Sequence, residues 1–261
     1  RPRVPGPTST ARRAPARWLF WGSLATLAYT YAGYPLSVAL RGTLRPRAVS
    51  TADETPCVSL VIAAHNEADV IERNLASAFA LDYPADRLQV VVASDGSDDG
   101  TNEVLRAWDD PRLVVLELPR GGKNAALNAA VPRATGEVVA FTDADTVLDR
   151  GALRALVAPF ADPTVGAVSG DYRYPEDIDE AVGERAYWSF DRRMKGLQSR
   201  AGTMISATGA LYAIRRELFR EVPAGVSDDF FISVGAVEAG RRIVFAPDAV
   251  VSGPVTVSDG A

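Results

Sequence analysis

Cysteine and histidine are almost absent from this sequence of 261 residues. Cys57 is the only cysteine, so the chain can form no internal disulfide and no cysteine-based metal site. His65 is the only histidine, which leaves little support for a histidine-rich metal site or a Ser-His-Asp triad. Metal binding and acid–base chemistry are therefore left to aspartate and glutamate. His65 itself is expected to be structural rather than catalytic.

Two phosphate-binding motifs are also missing. The segment Gly121-Gly122-Lys123 lacks the G-x-x-x-x-G-K-[ST] spacing of a P-loop, and no G-x-G-x-x-G follows the first predicted strand. Both absences weigh against P-loop and dinucleotide-binding proteins. The formal net charge of −5 argues against a general nucleic-acid binder, so no nucleic-acid partner is expected. The length suffices for one large α/β domain with appendages.

Charge is missing altogether from residues 18–40, which Arg17 and Arg41 flank. At about 1.5 Å per residue, a helix of this length crosses a bilayer core. We therefore predict a disordered arm at 1–17, a transmembrane helix at 18–40 and a polar linker at 41–56. A cleaved signal peptide and a buried core helix are the alternatives. Arginines lie on both sides of the span, and a plain count slightly favours a cytoplasmic N-terminus.

Short apolar runs alternate with helical segments after the linker. The predicted strands are 58–64, 88–93, 112–117 and 137–141, and the predicted helices are 69–80, 102–108 and one that opens at 121–124 and ends at Ala130. This alternation predicts βαβ units with right-handed crossovers. The expected fold class is therefore α/β, with a mostly parallel sheet flanked by helices.

Polar residues follow three of the predicted strands, at 65–67, 94–96 and 143–145. Because the carboxyl ends of parallel strands meet at one edge of a sheet, these clusters are expected to converge on a ligand site. Each cluster also has a simpler interpretation. Residues 66 and 67 could cap the following helix, and Asp95 could be a turn residue.

The stretch 141–146 contains two carboxylates, Asp143 and Asp145, where a buried strand ends. On an extended backbone, residues two apart point to the same side, so both carboxylates would face one point beyond the strand. Such a pair suits a hard divalent cation that bridges to phosphate oxygens. A solvated aspartate pair in a turn is the alternative, since D-x-D alone is a weak pattern.

Four segments together resemble a known family. Residues 64–67, 94–101, 122–128 and 142–145 are similar, in order and spacing, to the inverting family 2 glycosyltransferases of GT-A fold. The resemblance is to membrane-bound members near the synthases of cellulose, chitin, hyaluronan and poly-N-acetylglucosamine. It covers about residues 57–250 and implies a GT-A domain, Rossmann-like in its sheet, at 57–261.

The resemblance implies a role for residues in each motif. Those assigned to nucleotide and nucleotide-sugar binding are Ala64, Asn66, Glu67, Asp95, Lys123, Asn128 and Asp143. Within this set, Asp95 is expected to meet the uracil or ribose, and Lys123 and Asn128 to line the nucleotide-sugar pocket. Asp143 and Asp145 match the D-x-D that handles the metal–diphosphate, which implies Mg²⁺ or Mn²⁺ as cofactor.

Two further segments match the acceptor side of the family's site. Gly209 and Ala210 belong to a small-residue loop that is expected to lie under the donor sugar and acceptor. Asp229 is assigned as the general base, with Asp228 as its competitor. An N-cap for a helix at 230–239 is the alternative for this pair.

The resemblance also implies an activity and a location. The implied reaction is inverting transfer from a UDP-sugar, with UDP-N-acetylglucosamine or UDP-glucose as donor, to a growing polysaccharide or lipid-linked acceptor. Since nucleotide sugars are cytosolic, the resemblance implies a catalytic domain in the cytoplasm, anchored at the inner membrane, with the N-terminal arm outside. This inference overrides the arginine count. An amphipathic helix containing Tyr187 and Trp188 is expected at the membrane interface, or else as a buried aromatic core helix.

Some alternatives stay open at this point. A non-catalytic nucleotide-binding module of the same fold and a sugar nucleotidyltransferase are the rival functions. No Gln-x-x-Arg-Trp motif follows Asp229, although processive members carry one. We therefore expect the chain to be a fragment truncated at its C-terminal side.

Overall fold

A mixed eight-stranded sheet organises the chain. The computed structural model describes residues 13–173 and 182–253, and the side chains of 16–173 and 187–253. The strands are β1 (Val58–Ala64), β2 (Leu88–Asp95), β3 (Leu113–Leu118), β4 (Val138–Asp143), β5 (Val147–Leu148), β6 (Val165–Arg173), β7 (Leu211–Arg215) and β8 (Arg242–Ser252). Their order across the sheet is β3-β2-β1-β4-β7-β6-β8-β5.

The half of the sheet formed by β1 to β4 is parallel, as the alternation of strands and helices predicts. β1 pairs with β2 and β4, and β2 pairs with β3, all in parallel. β1 has its predicted bounds, while β2 and β4 each extend two residues further than predicted, to Asp95 and Asp143. The carboxyl ends of these strands therefore meet at one edge, with Asp143 beside Ala63 in the register.

The other half departs from the predicted mostly parallel arrangement. β7 runs antiparallel to both β4 and β6, and β5 runs antiparallel to β8. Among the described strands of this half, β6 and β8 form the parallel pair. The sheet is therefore mixed. The physical reason is that β7 lies between β4 and β6 and runs antiparallel to both, which interrupts the series of parallel neighbours.

The α-helices cover both faces of the sheet. They are α1 (Arg13–Ala28), α2 (Tyr34–Leu44), α3 (Ala68–Phe79), α4 (Thr101–Ala107), α5 (Lys123–Ala130), α6 (Ala152–Val157), α7 (Val182–Ala201) and α8 (Asp228–Glu238). Side chains alternate between the faces of a strand. In β1, Leu60 and Ile62 join the core that contains α3 and α6, whereas Val61 joins the core that contains α5 and α8.

The N-terminal segment is divided where the sequence predicts one transmembrane helix. α1 is followed directly by a π-helical turn (Tyr29–Gly33) and then by α2. Among the described residues, no helix combines the length and the apolar character needed to cross a membrane. The transmembrane helix at 18–40 therefore stays a prediction. Residues 1–12 of the predicted arm lie outside the described part of the chain.

α2 packs on α7, and this contact joins the N-terminal segment to the domain. Gly42 is buried there, and a Cβ added to it would lie 3.4 Å from the carbonyl oxygen of Leu197. Gln198 donates a hydrogen bond to the hydroxyl of Tyr34 at 2.9 Å. The linker predicted at 41–56 therefore begins later, after α2 ends at Leu44.

Candidate functional site

The carboxyl ends of β1, β2 and β4 surround a cavity of about 330 Å³. We call it the strand-end cavity; its lining includes Ala63, Ala64, His65, Glu67, Asp95, Arg120, Lys123, Asp143, Ala144 and Asp145. The three predicted clusters of polar residues thus converge on one site. Ala64, Glu67, Asp95, Lys123, Asp143 and Asp145, all predicted site residues, share this one space.

Asp143 and Asp145 also line a second, larger cavity of about 650 Å³ beside the first. We call it the aromatic cavity; it is lined by Asp143, Asp145, Thr146, Tyr172, Tyr187, Trp188, Thr208, Gly209, Ala210 and Gly253. The predicted loop residues Gly209 and Ala210 therefore line the same cavity as the D-x-D. The two aspartates stand where the two cavities meet.

Asp143 and Asp145 line the same cavities, as predicted. The prediction that an extended backbone brings them together is wrong. β4 ends at Asp143, and the chain then turns through Asp145 rather than staying extended. The buried side chain of Asn74 holds this turn by donating to the carbonyl oxygens of Asp143 at 3.0 Å and Thr146 at 2.9 Å. A clamped turn, not an extended strand, positions the two carboxylates.

Lys123 connects the D-x-D with the other predicted carboxylate pair. It is the first residue of α5, and its Nζ lies 2.8 Å from Asp143 Oδ1 and 3.5 Å from Asp228 Oδ2. Burial alone would lower the pKa of Lys123, but the negative charges of Asp143 and Asp228 outweigh it and raise the pKa. The ammonium group therefore stays charged between two carboxylates that come from distant parts of the sequence.

The carboxylates at this edge suit a divalent cation only in part. Burial, followed by the charges of Asp145, Asp99 and Asp143, raises the pKa of Glu67, which shows how much negative charge gathers here. Among the described residues, no group of three or more acidic, histidine or cysteine side chains could hold a metal. Mg²⁺ commonly takes one or two carboxylates and completes its shell with phosphate oxygens and water. Asp143 and Asp145 fit that donor set.

The loop after β1 is built around Asn66, which has a left-handed backbone with φ of 56°. Its amide group donates to Asp98 Oδ1 at 2.9 Å and accepts from the backbone N–H of Asp98 at 3.0 Å. Asn66 therefore joins the loops after β1 and β2. It does not cap α3; Asp99 does so instead, accepting from the backbone N–H of Ala68 at 3.0 Å.

Asp95 is buried at the end of β2 and organises the loop before α5. Its carboxylate accepts from the backbone N–H groups of Gly121 at 2.6 Å and Gly122 at 2.8 Å, and pairs with Arg120. Burial alone would raise the pKa of Asp95, but these donors lower it. Asp95 thus fixes the position of residues 120–122 beside the cavity. Arg120 also lines the cavity. The sequence does not indicate it as a site residue, because only the fold brings it to Asp95.

Asn128 lies apart from the strand-end cavity. Its side chain donates to the carbonyl oxygen of Val222 at 2.9 Å and accepts from the N–H of Val222 at 2.8 Å. It lines a different cavity of about 370 Å³, between α5 and the segment before α8. In this structure its amide fixes the backbone that leads to Asp228.

Asp228 and Asp229 begin α8, so the helix starts two residues earlier than predicted. Ser227 is the N-cap residue, and its hydroxyl bonds to Asp229 Oδ1, which also accepts from the N–H of Phe230 at 2.7 Å. A Cβ added to Gly209 would lie 3.4 Å from Asp229 Oδ2. Gly209 therefore separates Asp229 from the aromatic cavity by the thickness of one backbone segment.

Tyr212 is buried beneath the same carboxylates. Burial, together with the charges of Asp228, Asp229 and Asp143, raises its pKa well above the usual value. Its ring stacks on Phe141 of β4, with centroids 4.7 Å apart. The acidic site thus rests on a neutral, packed aromatic pair. The apolar run of the predicted strand 137–141 indicated that Phe141 is buried, but not which residue it packs against.

Fold and site together define a glycosyltransferase domain of the GT-A type. The chain belongs to glycosyl transferase family 2, whose model matches residues 59–223, more than half of the sequence. The predictions of family and enzyme class are therefore confirmed. They rested on four motifs in register, and the structure places residues from all four in or beside the strand-end cavity.

Characterised relatives show the same kinship. An N-acetylglucosaminyltransferase of Rhizobium sp. (strain N33) is 27% identical over 87% of this chain and 55% of its own length. A poly-beta-1,6-N-acetyl-D-glucosamine synthase of Staphylococcus epidermidis is 30% identical over 63% of this chain and 41% of its own length. The chain thus spans about half the length of the curated relatives it matches.

Among solved structures, a mannosyltransferase of Pyrobaculum calidifontis, PcManGT, in complex with GDP-Man and Mn²⁺ superposes with a TM-score of 0.76 and 33% identity. The match covers 90% of this chain and 68% of that chain. S. aureus TarS in complex with UDP-GlcNAc superposes with a TM-score of 0.58 at 19% identity, over 75% of this chain and 58% of that chain. The TarS likeness shows the fold alone.

Proposed function

We propose that this domain transfers N-acetylglucosamine, with inversion, from UDP-N-acetylglucosamine to a hydroxyl of a glycan or lipid-linked acceptor. One observation carries the proposal: Lys123 lies between Asp143 of the D-x-D and Asp228 of the second pair. This contact brings a diphosphate-handling motif and a base-bearing motif to one site. The similarity to an N-acetylglucosaminyltransferase and to a poly-beta-1,6-N-acetyl-D-glucosamine synthase supports the donor sugar. UDP-glucose is the other donor that this site would take.

The strand-end cavity is where the nucleotide would bind. Its backbone walls come from Ala63 and Ala64, and Glu67 and Arg120 complete its lining. Asp143 and Asp145 would hold Mg²⁺ or Mn²⁺, which would neutralise charge on the diphosphate. The sugar would then lie in the aromatic cavity, against Gly209 and Ala210, because that cavity continues from the same two aspartates.

Asp229 would act as the general base. Its carboxylate would take the proton from the attacking acceptor hydroxyl as the oxygen bonds to the anomeric carbon. The bond from that carbon to the diphosphate breaks in the same step, and UDP leaves with the electron pair. A single displacement inverts the anomeric centre. Lys123 would stabilise negative charge between Asp143 and Asp228 while the diphosphate separates.

We further propose that the N-terminal segment anchors the protein at the inner membrane, with this domain in the cytoplasm. Large apolar side chains on α1 and α2 are exposed, among them Trp18 at 78%, Leu19 at 71% and Leu36 at 69%. Such a surface is unusual on a protein surrounded only by water. Flotation with phospholipid vesicles tests the anchor, using Leu19→Lys/Leu36→Lys against Thr26→Ser as control. A reporter fused to the N-terminus tests the orientation.

Calorimetric titration of UDP into the protein, with and without Mn²⁺, tests the donor site. Binding that requires the metal and is lost in Asp143→Asn/Asp145→Asn is expected. Transfer assays with UDP-N-acetylglucosamine, UDP-glucose and GDP-mannose then test the donor. GDP-mannose is included because the solved relative PcManGT was studied with it. Preferred turnover of GDP-mannose, or pyrophosphate release from a nucleoside triphosphate and a sugar phosphate, would contradict the proposed reaction.

A further inference from the structure

One face of α7 lines a cavity that the motifs above leave unassigned. Trp188, Asp191, Lys195 and Gln198 follow at spacings of three, four and three, which places them on one side of a helix. All four line a cavity of about 320 Å³. We call it the α7 cavity. Asp229, the proposed base, lines it too.

The α7 cavity and the aromatic cavity share a wall. Tyr187, Trp188 and Thr208 line both. The D-x-D therefore lies on one side of this wall, and Asp229 lies on the other. In a single displacement, the acceptor must reach from the base to the anomeric carbon, so it has to lie beside Trp188 and Thr208.

The side chains of the α7 cavity have the chemistry of a sugar site. A pyranose ring presents apolar C–H groups beside a rim of hydroxyls, which need an aromatic surface and several donors and acceptors. Trp188 supplies the surface, Asp191 an acceptor, Lys195 a donor and Gln198 both. This mixture of one aromatic ring and three polar groups lies along a single helical face.

The charge of the α7 cavity disfavours an anionic acceptor group. Lys195 pairs with Asp191 and donates to the hydroxyl of Thr208. Its Nζ also lies 5.9 Å from the centre of the Trp188 ring. Because Asp191 already neutralises the lysine, and Asp229 adds a further negative charge, the cavity has no positive charge to spare for a phosphate.

The position of α7 is fixed from outside the cavity. Arg192 donates to the buried carboxylate of Asp171 on β6 at 2.9 Å. The ring of Trp188 packs against Tyr172 of the same strand, with centroids 4.9 Å apart. Gln198 is held by Tyr34 of α2. A subsite held on a rigid helix loses little freedom when a ligand binds.

We propose that Trp188, Asp191, Lys195 and Gln198 form the acceptor subsite, and that it binds the terminal pyranose of an uncharged glycan rather than a lipid phosphate. This inference rests on the proposed transferase function. It assigns the substrate class on the acceptor side. Specificity for the acceptor then resides in α7, outside the motifs that bind the donor.

Isothermal titration tests the subsite on the full chain with three probes. A β-1,6-linked N-acetylglucosamine tetramer and a β-1,4-linked tetramer represent neutral glycans, and a short-chain prenyl phosphate represents an anionic acceptor. UDP with Mn²⁺ reports separately on the strand-end cavity, which Trp188 does not line. The variants are Trp188→Ala, Trp188→Phe and Asp191→Asn. Phe190→Ala is the matched control, because Phe190 lies on the same helix but is 54% exposed and outside both cavities.

At least one tetramer is expected to bind the wild-type chain and the Phe190→Ala control alike. Affinity should fall at least tenfold in Trp188→Ala and about fivefold in Asp191→Asn, and should recover to within about threefold in Trp188→Phe. UDP affinity should stay unchanged in all four variants. If Trp188→Ala fails to fold, Asp191→Asn, which keeps the size of the side chain, decides the result.

Three outcomes would overturn the inference. The first is a wild-type chain that binds UDP but neither tetramer. The second is a tetramer affinity equal to that of the wild type in Asp191→Asn or in folded Trp188→Ala. The third is binding of the prenyl phosphate in preference to both tetramers. Tetramer binding by a chain that does not bind UDP would contradict the proposed donor instead. The acceptor subsite would then stand.

Discussion

Lys123 Nζ lies 2.8 Å from Asp143 Oδ1, so the lysine that begins α5 pairs with the aspartate that ends β4. Asp228 approaches the same ammonium at 3.5 Å. Lys123 therefore holds together two acidic motifs that would otherwise repel each other. Its ammonium group explains how Asp143 and Asp228, which are 85 positions apart in the sequence, lie close together in the fold.

Lys123→Met is expected to lower kcat/KM for transfer from UDP-N-acetylglucosamine at least tenfold, about 1.4 kcal/mol. The reason is that Asp143 and Asp228 lose their common counter-charge. Stability should change by less than about 1 kcal/mol, because Lys123 is partly exposed and such pairs are screened by water. Steady-state kinetics and thermal unfolding measure the two effects. Arg106→Gln, which breaks an exposed pair with Glu117, should leave kcat/KM unchanged.

Asp229→Asn is expected to reduce transfer by a factor of roughly 10² to 10⁴ and to leave UDP affinity within about threefold of wild type. The asparagine oxygen still accepts from Ser227 and Phe230, so α8 keeps its start and only the basicity is lost. Single-turnover assays and UDP titration measure the two quantities. Asp228→Asn is the paired variant, and it should weaken donor binding through Lys123. Normal transfer by Asp229→Asn together with inactive Asp228→Asn would move the base to Asp228.

Asp95→Asn is expected to destabilise the domain by about 3 kcal/mol and to weaken UDP binding. The carboxylate is buried and joins Arg120 to two backbone N–H groups, so its loss leaves Arg120 without its partner. The pKa of Asp95 is lowered, so its contribution is present at neutral pH and is lost as acid protonates it. Urea unfolding at pH 7 checks the prediction. A change below about 0.5 kcal/mol would show that water replaces these contacts without cost.

Asp99 gives the domain a pH-dependent cap. The hydroxyl of Thr101, ahead of the N–H groups of Ala68 and Thr101, lowers the pKa of Asp99 from 3.8 to about 2. Because the folded-state pKa is the lower one, this stabilisation is complete above about pH 4 and is lost as the pH falls towards 2. In Asp99→Asn, stability should vary less with pH across this window. Thermal unfolding at several pH values measures it, with exposed Asp109→Asn expected to behave as wild type.

The parallel half of the sheet could be predicted because its signals are local. β1 (Val58–Ala64) is an apolar run broken only by Ser59, it ends where polar residues begin, and its predicted bounds are those observed. β7 could not be placed in the same way. It consists of four largely apolar residues followed by Arg215, but only the fold decides that this strand runs antiparallel between β4 and β6.

In the candidate site too, local features could be predicted from the sequence, whereas long-range contacts could not. Asp143 and Asp145 were expected to face one point, and they do line the same cavities, but the turn held by Asn74 is a long-range contact. The pairing of Asp95 with Arg120 depends on the approach of two loops 25 residues apart. Such contacts leave no periodicity in the sequence. The helical spacing of Trp188 and Asp191, by contrast, was visible in the sequence, although which cavity they face was not.

Through Asn74, α3 also helps to position the turn after β4. At the start of the helix, the backbone N–H of Ala68 donates a hydrogen bond to Asp99, which lies in the loop after β2. Further along, the side chain of Asn74 donates to the turn that contains the D-x-D. Ala68 and Asn74 are six positions apart along the helix, which corresponds to a rise of about 9 Å. This length of helix sets the distance between the loops after β1 and β2 and the turn that carries Asp145. Both regions contribute residues to the lining of the strand-end cavity, so one residue inserted within α3 would displace one part of the lining relative to the other.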